Sequence, residues 1–350
     1  MWIIGCDLHT RYQQVAALET TTGELVERRL EHEGEAVRQF YAALPPGARI
    51  GIEATGHAQW FERLLAELGH ELWVGDAAEI RAAAVRQQKT DARDAQLLLR
   101  LLVEQRFPRI WLPSVEERET RRLLLHREKL VRMRTMIRNQ LHALAMNQGL
   151  RWRRKLWSAK GRRELEALPL GRWGSTQRRD LLALAEALDA RLEALNQAVI
   201  AEAAQRPAAL RLMQQPGVGP VTALAFVLTL GPVERFRRSK QVVSYLGLSP
   251  REFSSGGRQR LGAISKQGNT LLRWLLVEAA QTAARLDPEL HRAYVRLKHR
   301  RGFRIAKVAV ARKLAVRLYW RLRTPETHAQ RVSPQSSPDT VMVEATPSNS

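Results

Sequence analysis

The chain has 350 residues, 45 % of them hydrophobic and 26 % charged, a balance that excludes intrinsic disorder and is large enough for two cored domains. A single cysteine, Cys6, excludes an internal disulfide and fits a reducing compartment. The formal net charge of +22 is unevenly placed: residues 1–100 hold 11 Lys and Arg against 15 Asp and Glu, a net of −4, which leaves +26 for the remainder. A field of that sign attracts nucleic acid or an anionic membrane. The basic residues are mostly Arg, whose planar fork grips phosphate. No run reaches the roughly 18 apolar residues of a membrane helix, and no basic segment followed by an apolar core opens the chain. A nucleic-acid partner, no membrane, and a cytoplasmic, nucleoid-associated location are therefore expected.

In chain order, strands are predicted at 2–8, 12–19 and 24–31, with Thr21-Thr22-Gly23 turning the second into the third. A helix follows at 34–44, closed by Pro45-Pro46-Gly47, then a strand at 48–53 and a helix at 57–69. A strand at 70–75, an Ala/Arg-rich helix at 77–87 and a helix at 90–106, ended by Pro108, complete the first part. Three strands, helix, strand, helix, strand, helix is the element order of an RNase H-like α/β domain.

Four carboxylates stand at telling places in this order. Asp7 ends the apolar run Trp2-Ile3-Ile4-Gly5-Cys6, and Glu53 ends Arg49-Ile50-Gly51-Ile52. Asp91 and Asp94, in Lys89-Thr90-Asp91-Ala92-Arg93-Asp94-Ala95, are three apart and share a helix face. Each alone has a plainer reading: a strand-end turn for Asp7, and helix capping for Glu53, Asp91 and Asp94. Together they read as converging carboxylates, which repel unless divalent cations neutralise them. Hard oxygen ligands without a Cys or His cluster suit Mg²⁺, with Mn²⁺ as the alternative. Two such ions form an apparatus for cutting phosphodiesters, with Asp7 bridging them and Glu53 and Asp91 or Asp94 completing one shell each.

Residues 115–205 are expected to be a basic helical region broken once. The first segment, 115–148, carries Arg118, Arg121, Arg122, Arg127, Lys129, Arg132, Arg134 and Arg138 around an apolar stripe. The second, 177–205, repeats Leu184, Leu188, Leu192, Leu195 and Val199 at helical spacing. The pair reads either as a coiled-coil arm for subunit pairing or as ordinary helices sharing a core. Between them, Trp152 and Trp157 sit among Arg and Lys at 151–163, either stacking on unpaired bases or, the preferred reading, packing in a core. Residues 207–323 read as a mostly helical domain, and 324–350, rich in Pro, Ser, Thr and Gln, as a disordered tail.

Within 207–323, Pro216-Gly217-Val218-Gly219-Pro220 reads as a helix-hairpin-helix turn in which Gly217 and Gly219 admit phosphate, or as a plain helix–helix turn. Ser254-Ser255-Gly256-Gly257 is either a flexible loop or the seat of a nucleophilic serine, with Arg251, Arg258, Arg260 and Lys266 on the scissile phosphate. Residues 291–321 form a basic helical stretch with an apolar face for the core and an Arg face for phosphate.

These pieces together resemble the DEDD transposases of the insertion-sequence 110 family, the bridge-RNA-guided recombinases, over residues 2–320. The resemblance rests on Ile4-Gly5-Cys6-Asp7, Ile52-Glu53-Ala54-Thr55-Gly56, Lys89 to Ala95, Pro216-Gly217-Val218-Gly219, Leu246-Gly247-Leu248-Ser249-Pro250 and Ser254 to Gly257, in that order. It implies a RuvC-like (RNase H-fold) domain at 1–110, a coiled-coil region at 115–205 and a transposase domain at 207–323. It further implies an acidic tetrad, Asp7, Glu53, Asp91 and Asp94, that brings Mg²⁺. Ser255 takes the nucleophile's place, with Ser254 as the alternative. The implied partners are donor and target DNA, a structured non-coding guide RNA, and further copies of the chain, as dimers pairing into tetramers. Two rivals remain at this point: a RuvC-like nuclease or junction resolvase that does not rejoin, and a non-catalytic nucleic-acid-binding scaffold.

Overall fold

The computed structural model describes residues 1–84, 90–150, 156–253 and 260–324. The chain divides into two compact units, Met1–Leu112 and Pro113–Ser350.

The first unit is a five-stranded sheet with helices on both faces. Its strands are β1 (Trp2–Leu8), β2 (Tyr12–Glu19), β3 (Leu25–Glu31), β4 (Arg49–Glu53) and β5 (Glu71–Gly75), in the spatial order β3-β2-β1-β4-β5. β2 pairs antiparallel with β1 and β3, whereas β4 runs parallel to β1 and β5. The parallel pairs require helical crossovers, and α1 (Ala36–Ala42) and α2 (Gln59–Glu67) supply them. β1 is central, so it is apolar on both faces. Ile4, Cys6 and Leu8 join Ile50, Ile52, Tyr41, Phe61 and Leu65 in the core under α1 and α2. Ile3 faces the other way, into a second core with Leu98, Leu99, Leu102 and Phe107.

That second core is covered by α4 (Asp91–Val103), preceded by the short α3 (Ala77–Ala83). α4 buries Ala95, Leu98, Leu99 and Leu102, a stripe at helical spacing. Glycines on the facing strands let it sit close: a Cβ on Gly51 would meet Leu102 and Phe107 at 2.8 and 2.9 Å.

Among its described residues the second unit is helical except for one hairpin. The long helices α5 (Val115–Asn147) and α7 (Arg172–Ala204) run antiparallel, with α6 (Ala159–Glu166) between them in sequence. Leu130, Ile137, Leu141, Leu165, Leu188 and Leu192 fill their shared core. Arg134 and Arg138 both reach Asp189, at 3.0 and 2.8 Å, and Arg127 reaches Asn196 at 2.7 Å, which fixes the antiparallel register. α5 starts with a complete capping box between Ser114 and Glu117. Trp157 corrects one expectation: it is exposed rather than core, with the Arg138 guanidinium 4.8 Å from its ring centroid. Trp152 lies outside the described residues.

A larger core gathers α8 (Pro207–Met213), α9 (Pro220–Leu230), α10 (Ser239–Tyr245), α11 (Thr270–Leu286) and α12 (Pro288–Arg323). The base of the α5–α7 pair joins it through Leu124, Val199 and Ala203. α9 is apolar all round and buried accordingly. α12 breaks its helical backbone at Gly302 (φ 80°). The sequence pattern missed a small hairpin, β6 (Pro250–Glu252) with β7 (Leu261–Ile264), because its strands are only three and four residues long. Among the described residues no helix is long and apolar enough to cross a membrane.

Candidate functional site

Asp7 and Asp91 meet at the carboxyl end of β1, and the strand register puts Glu53 at the same end of the neighbouring β4. Side chains alternate along a strand, so Ile3, Gly5 and Asp7 share the α4 face of β1. Cys6 pairs in register with Ile52, which sets Asp7 beside Glu53 one residue further along both strands. Alternation puts Glu53 on the same face as Gly51. α4 brings the other two. Its N-cap is Thr90, whose hydroxyl accepts from Arg93 N at 3.4 Å. Capping therefore does not consume Asp91 and Asp94, which stand in the first turn. Nor does Glu53 cap α2, whose N-cap is Ala58.

The tightest part of the site contains a residue the sequence reading overlooked. His9 Nε2 lies 3.0 Å from Asp7 Oδ2 and 3.6 Å from Asp91 Oδ2. The approach is close enough for charge pairing but lacks hydrogen-bond direction, so this buried nitrogen has no hydrogen-bond partner among the described residues. Tyr12 donates its hydroxyl to Asp91 Oδ2 at 2.7 Å, stacks near His9 with ring centroids 4.6 Å apart, and lies under Arg29 at 3.6 Å. The signal for His9 was Asp7-Leu8-His9: two residues apart on a strand end, both side chains leave by the same face.

The electrostatics follow from this crowding. Burial pushes the Asp7 carboxyl above the ordinary carboxylate range; His9 opposes the rise, while the charges of Asp94 and Asp91 add to it. Tyr12 is held above its usual value chiefly by the hydrogen bond to Asp91. Burial lowers His32, and the imidazoles of His57 and His9 act in the same direction. An acidic group raised by burial and like charges favours a bound cation.

The residues present fit such a cation. Ligand atoms of Asp7, His9 and Asp91 all lie within 4.8 Å of one another. The closest trio is two carboxylates and one imidazole, so His9 adds a nitrogen donor that the all-oxygen expectation did not count. Glu53 stands at the end of β4 beside Asp7, and the charge of Asp94 is felt at Asp7, but neither belongs to this trio.

The residues expected to touch phosphate lie in the second unit. Gly217 and Gly219 form the turn between α8 and α9. Gly217 is required there for packing: its φ is +86°, and a Cβ would stand 2.6 Å from Ala283 N and 2.7 Å from Ala279 O on α11. Gly219, by contrast, faces open space. Arg251, Arg260 and Lys266 are exposed on or beside the β6–β7 hairpin, where Phe253 N donates to Arg260 O at 2.9 Å. Ser254, Ser255 and Arg258 lie outside the described residues.

The mixed sheet, its carboxylate cluster and the helical remainder fit the RNase H-like class of nucleic-acid-processing enzymes. Comparison with known proteins narrows the class. The description "Transposase IS116/IS110/IS902 family" matches residues 209–296, and the DEDD transposase description of the IS110 type matches residues 4–147. A relative in Pseudomonas aeruginosa, named "Probable family 20 transposase", is 31 % identical over 93 % of this chain and 97 % of its own length. The transposase for insertion sequence element IS1111A of Coxiella burnetii is 29 % identical over 93 % of this chain and 91 % of its own. That for element IS1328 of Yersinia enterocolitica is 27 % identical over 80 % and 83 %. The chain belongs to the IS110 family of DEDD transposases, and is an insertion-sequence transposase. The non-catalytic scaffold is thereby set aside.

Proposed function

We propose that the chain cuts and rejoins DNA at the ends of an insertion sequence, using the Asp7–His9–Asp91 site together with Glu53 and Asp94, and a serine nucleophile at Ser255. The observation that carries this reading is the convergence of the ligand atoms of Asp7, His9 and Asp91 within 4.8 Å at the carboxyl ends of adjacent parallel strands. Asp7 and Asp91 would hold Mg²⁺, or Mn²⁺, with His9; the imidazole nitrogen tilts the donor set toward Mn²⁺. A cation bound there supplies charge to a phosphoryl oxygen and lowers the pKa of a nearby hydroxyl. Tyr12 holds the Asp91 carboxylate in orientation, which is the role of an outer partner to a ligand.

In the second unit, the oxygen of Ser255 attacks phosphorus and replaces one bridging oxygen, whose strand leaves as a hydroxyl and takes the proton. A hydroxyl of another strand reverses the exchange and frees the serine. Ser254 is the alternative nucleophile. Arg251, Arg258, Arg260 and Lys266 neutralise the scissile phosphate, and the Gly217–Gly219 turn contacts the backbone. A structured non-coding RNA from the element reads donor and target DNA by base pairing, so the protein needs contacts mainly to phosphate and helical shape. The +26 charge beyond residue 100 supports that division of labour. The α5–α7 pair provides a surface for dimers that assemble into tetramers.

The test is recombination of two DNA substrates by purified protein with Mg²⁺ or Mn²⁺ and RNA transcribed from the element's flanks. Ser255→Ala should abolish both product and protein–DNA adduct, with Ser254→Ala retaining them. Product formed by Asp7→Ala would sink the acidic site, and product formed without RNA would sink the guide.

A further inference from the structure

We propose that the second unit carries a pocket for one unpaired nucleotide, between the α8–α9 turn and the last turns of α12. This rests on the reading of the chain as a nucleic-acid-binding transposase. The cleft measures about 460 Å³, in the range of pockets that take small ligands, and is lined by Arg211, Gln215, Asp287, Arg317, Trp320 and Arg321 among others.

Its acidic side chain is already engaged. Asp287 receives Arg317 at 2.5 Å and caps α12 by accepting from Leu290 N at 2.9 Å, while Arg317 also pairs with Glu289. Arg211 and Arg321 have no acidic partner among the described residues. The buried Nε of Arg211 finds no acceptor there. Gln215 is 3 % exposed; its amide lies near enough to Asp287 to help hold that carboxyl low, yet its Nε2 finds no acceptor in hydrogen-bond geometry. Arg211 and Arg321 thus line the cleft as cations without a carboxylate to answer them, which a ligand bearing a phosphate supplies.

Trp320 decides which such ligand. Tyr319 donates to Phe236 O at 2.9 Å and Arg323 to Arg237 O at 2.8 Å, so the last turn of α12 is anchored on both sides of the indole. Trp320 itself stays 48 % exposed at the cleft. A bare phosphate has no use for an indole, and a paired base cannot reach one. An unpaired nucleotide uses both of the exposed features: its phosphate meets Arg211 and Arg321, and its base stacks on Trp320. Pro216, in the Gly217–Gly219 turn, lines the same cleft, so a strand tracking that turn passes its mouth.

The pocket is tested by anisotropy of labelled single-stranded DNA, the RNA of matching sequence, and a duplex of equal length. Trp320→Ala should weaken single-strand binding roughly fivefold or more, with Trp320→Phe recovering most of it and duplex binding unchanged. Arg211→Ala should flatten the salt dependence by about one counterion. The DNA and RNA arms identify the strand that enters. A 4-thiothymidine or 4-thiouridine probe should cross-link to the peptide containing Trp320. If single-strand affinity survives Trp320→Ala, if duplex binding falls in parallel, or if cross-links form only elsewhere, the pocket is overturned. A wild-type chain that binds neither form would overturn the nucleic-acid reading as well, so the two failures are distinguishable.

Discussion

A Cβ added to Gly5 would stand 2.2 Å from the carbonyl oxygen of Ala95 and 2.3 Å from Leu99 N. No side chain fits between β1 and α4 at this level. Asp7 lies two residues beyond Gly5 on the same strand face, and Asp91 one helical turn before Ala95, so this bare contact sets how closely the two carboxylates meet. Gly5→Ala must push α4 outward. It is expected to cost about 3 kcal/mol or more, because the obstruction is backbone rather than a side chain that can turn away. Urea unfolding would read the loss, and divalent-cation affinity should fall with it.

His9 is expected to matter for the cation more than for folding. Its Nε2 sits between Asp7 and Asp91 without a hydrogen bond of its own. His9→Ala should lower Mn²⁺ affinity roughly tenfold or more, as loss of a ligand or its close support commonly does. Tyr12→Phe should have a smaller effect in the same direction, since it removes only the orienting bond to Asp91. Calorimetric titration with Mn²⁺ orders the two, and equal affinities in all three proteins would remove His9 and Tyr12 from the site.

Much of the first unit was legible because its elements are locally consistent. Apolar runs ending in Asp7 and Glu53 give strands, and the stripe Ala95, Leu98, Leu99, Leu102 gives the helix that covers them. What the chain order did not disclose was the depth of contact at Gly5 and Gly51, since a glycine in a strand has several uses. The spacing Asp7-Leu8-His9 was too weak a signal to single out His9, because lone histidines are common and its partners come from β1 and α4 together. Thr90 rather than Asp91 proved to be the cap, a distinction that rests on one residue of register. The β6–β7 hairpin escaped because strands of three or four residues leave no period to detect.

The two glycines of the α8–α9 turn should behave oppositely. Gly217→Ala meets both a positive φ and the backbone of α11, so it should destabilise the second unit by about 2 kcal/mol or more. Gly219→Ala adds its methyl to open space at φ −93°, so folding should be nearly unaffected. Any loss of DNA affinity in Gly219→Ala then reports on the contact surface itself, by filter binding at fixed salt, with thermal melting as the control.

Asp7 gives the pH dependence a definite sign. Its folded-state pKa is raised, chiefly by burial, so the native chain holds this proton more tightly than the unfolded chain. Stability is then favoured below the ordinary aspartate range and falls as pH rises through the raised value; above it the penalty is complete. Asp7→Asn removes the penalty, so in metal-free buffer at neutral pH the variant should melt a few degrees higher than the wild type, by about 2–4 °C. Below the ordinary aspartate range the two should converge. A divalent cation binds the folded form and works against the same penalty, so Mn²⁺ should raise the wild-type midpoint at neutral pH and leave Asp7→Asn nearly unmoved. Melting curves from about pH 3, below the ordinary aspartate range, up to about pH 8, with and without Mn²⁺, separate these effects. A variant that melts lower than the wild type in metal-free buffer at neutral pH would show that the Asp7 carboxylate stabilises the fold, which the burial of that carboxyl does not allow.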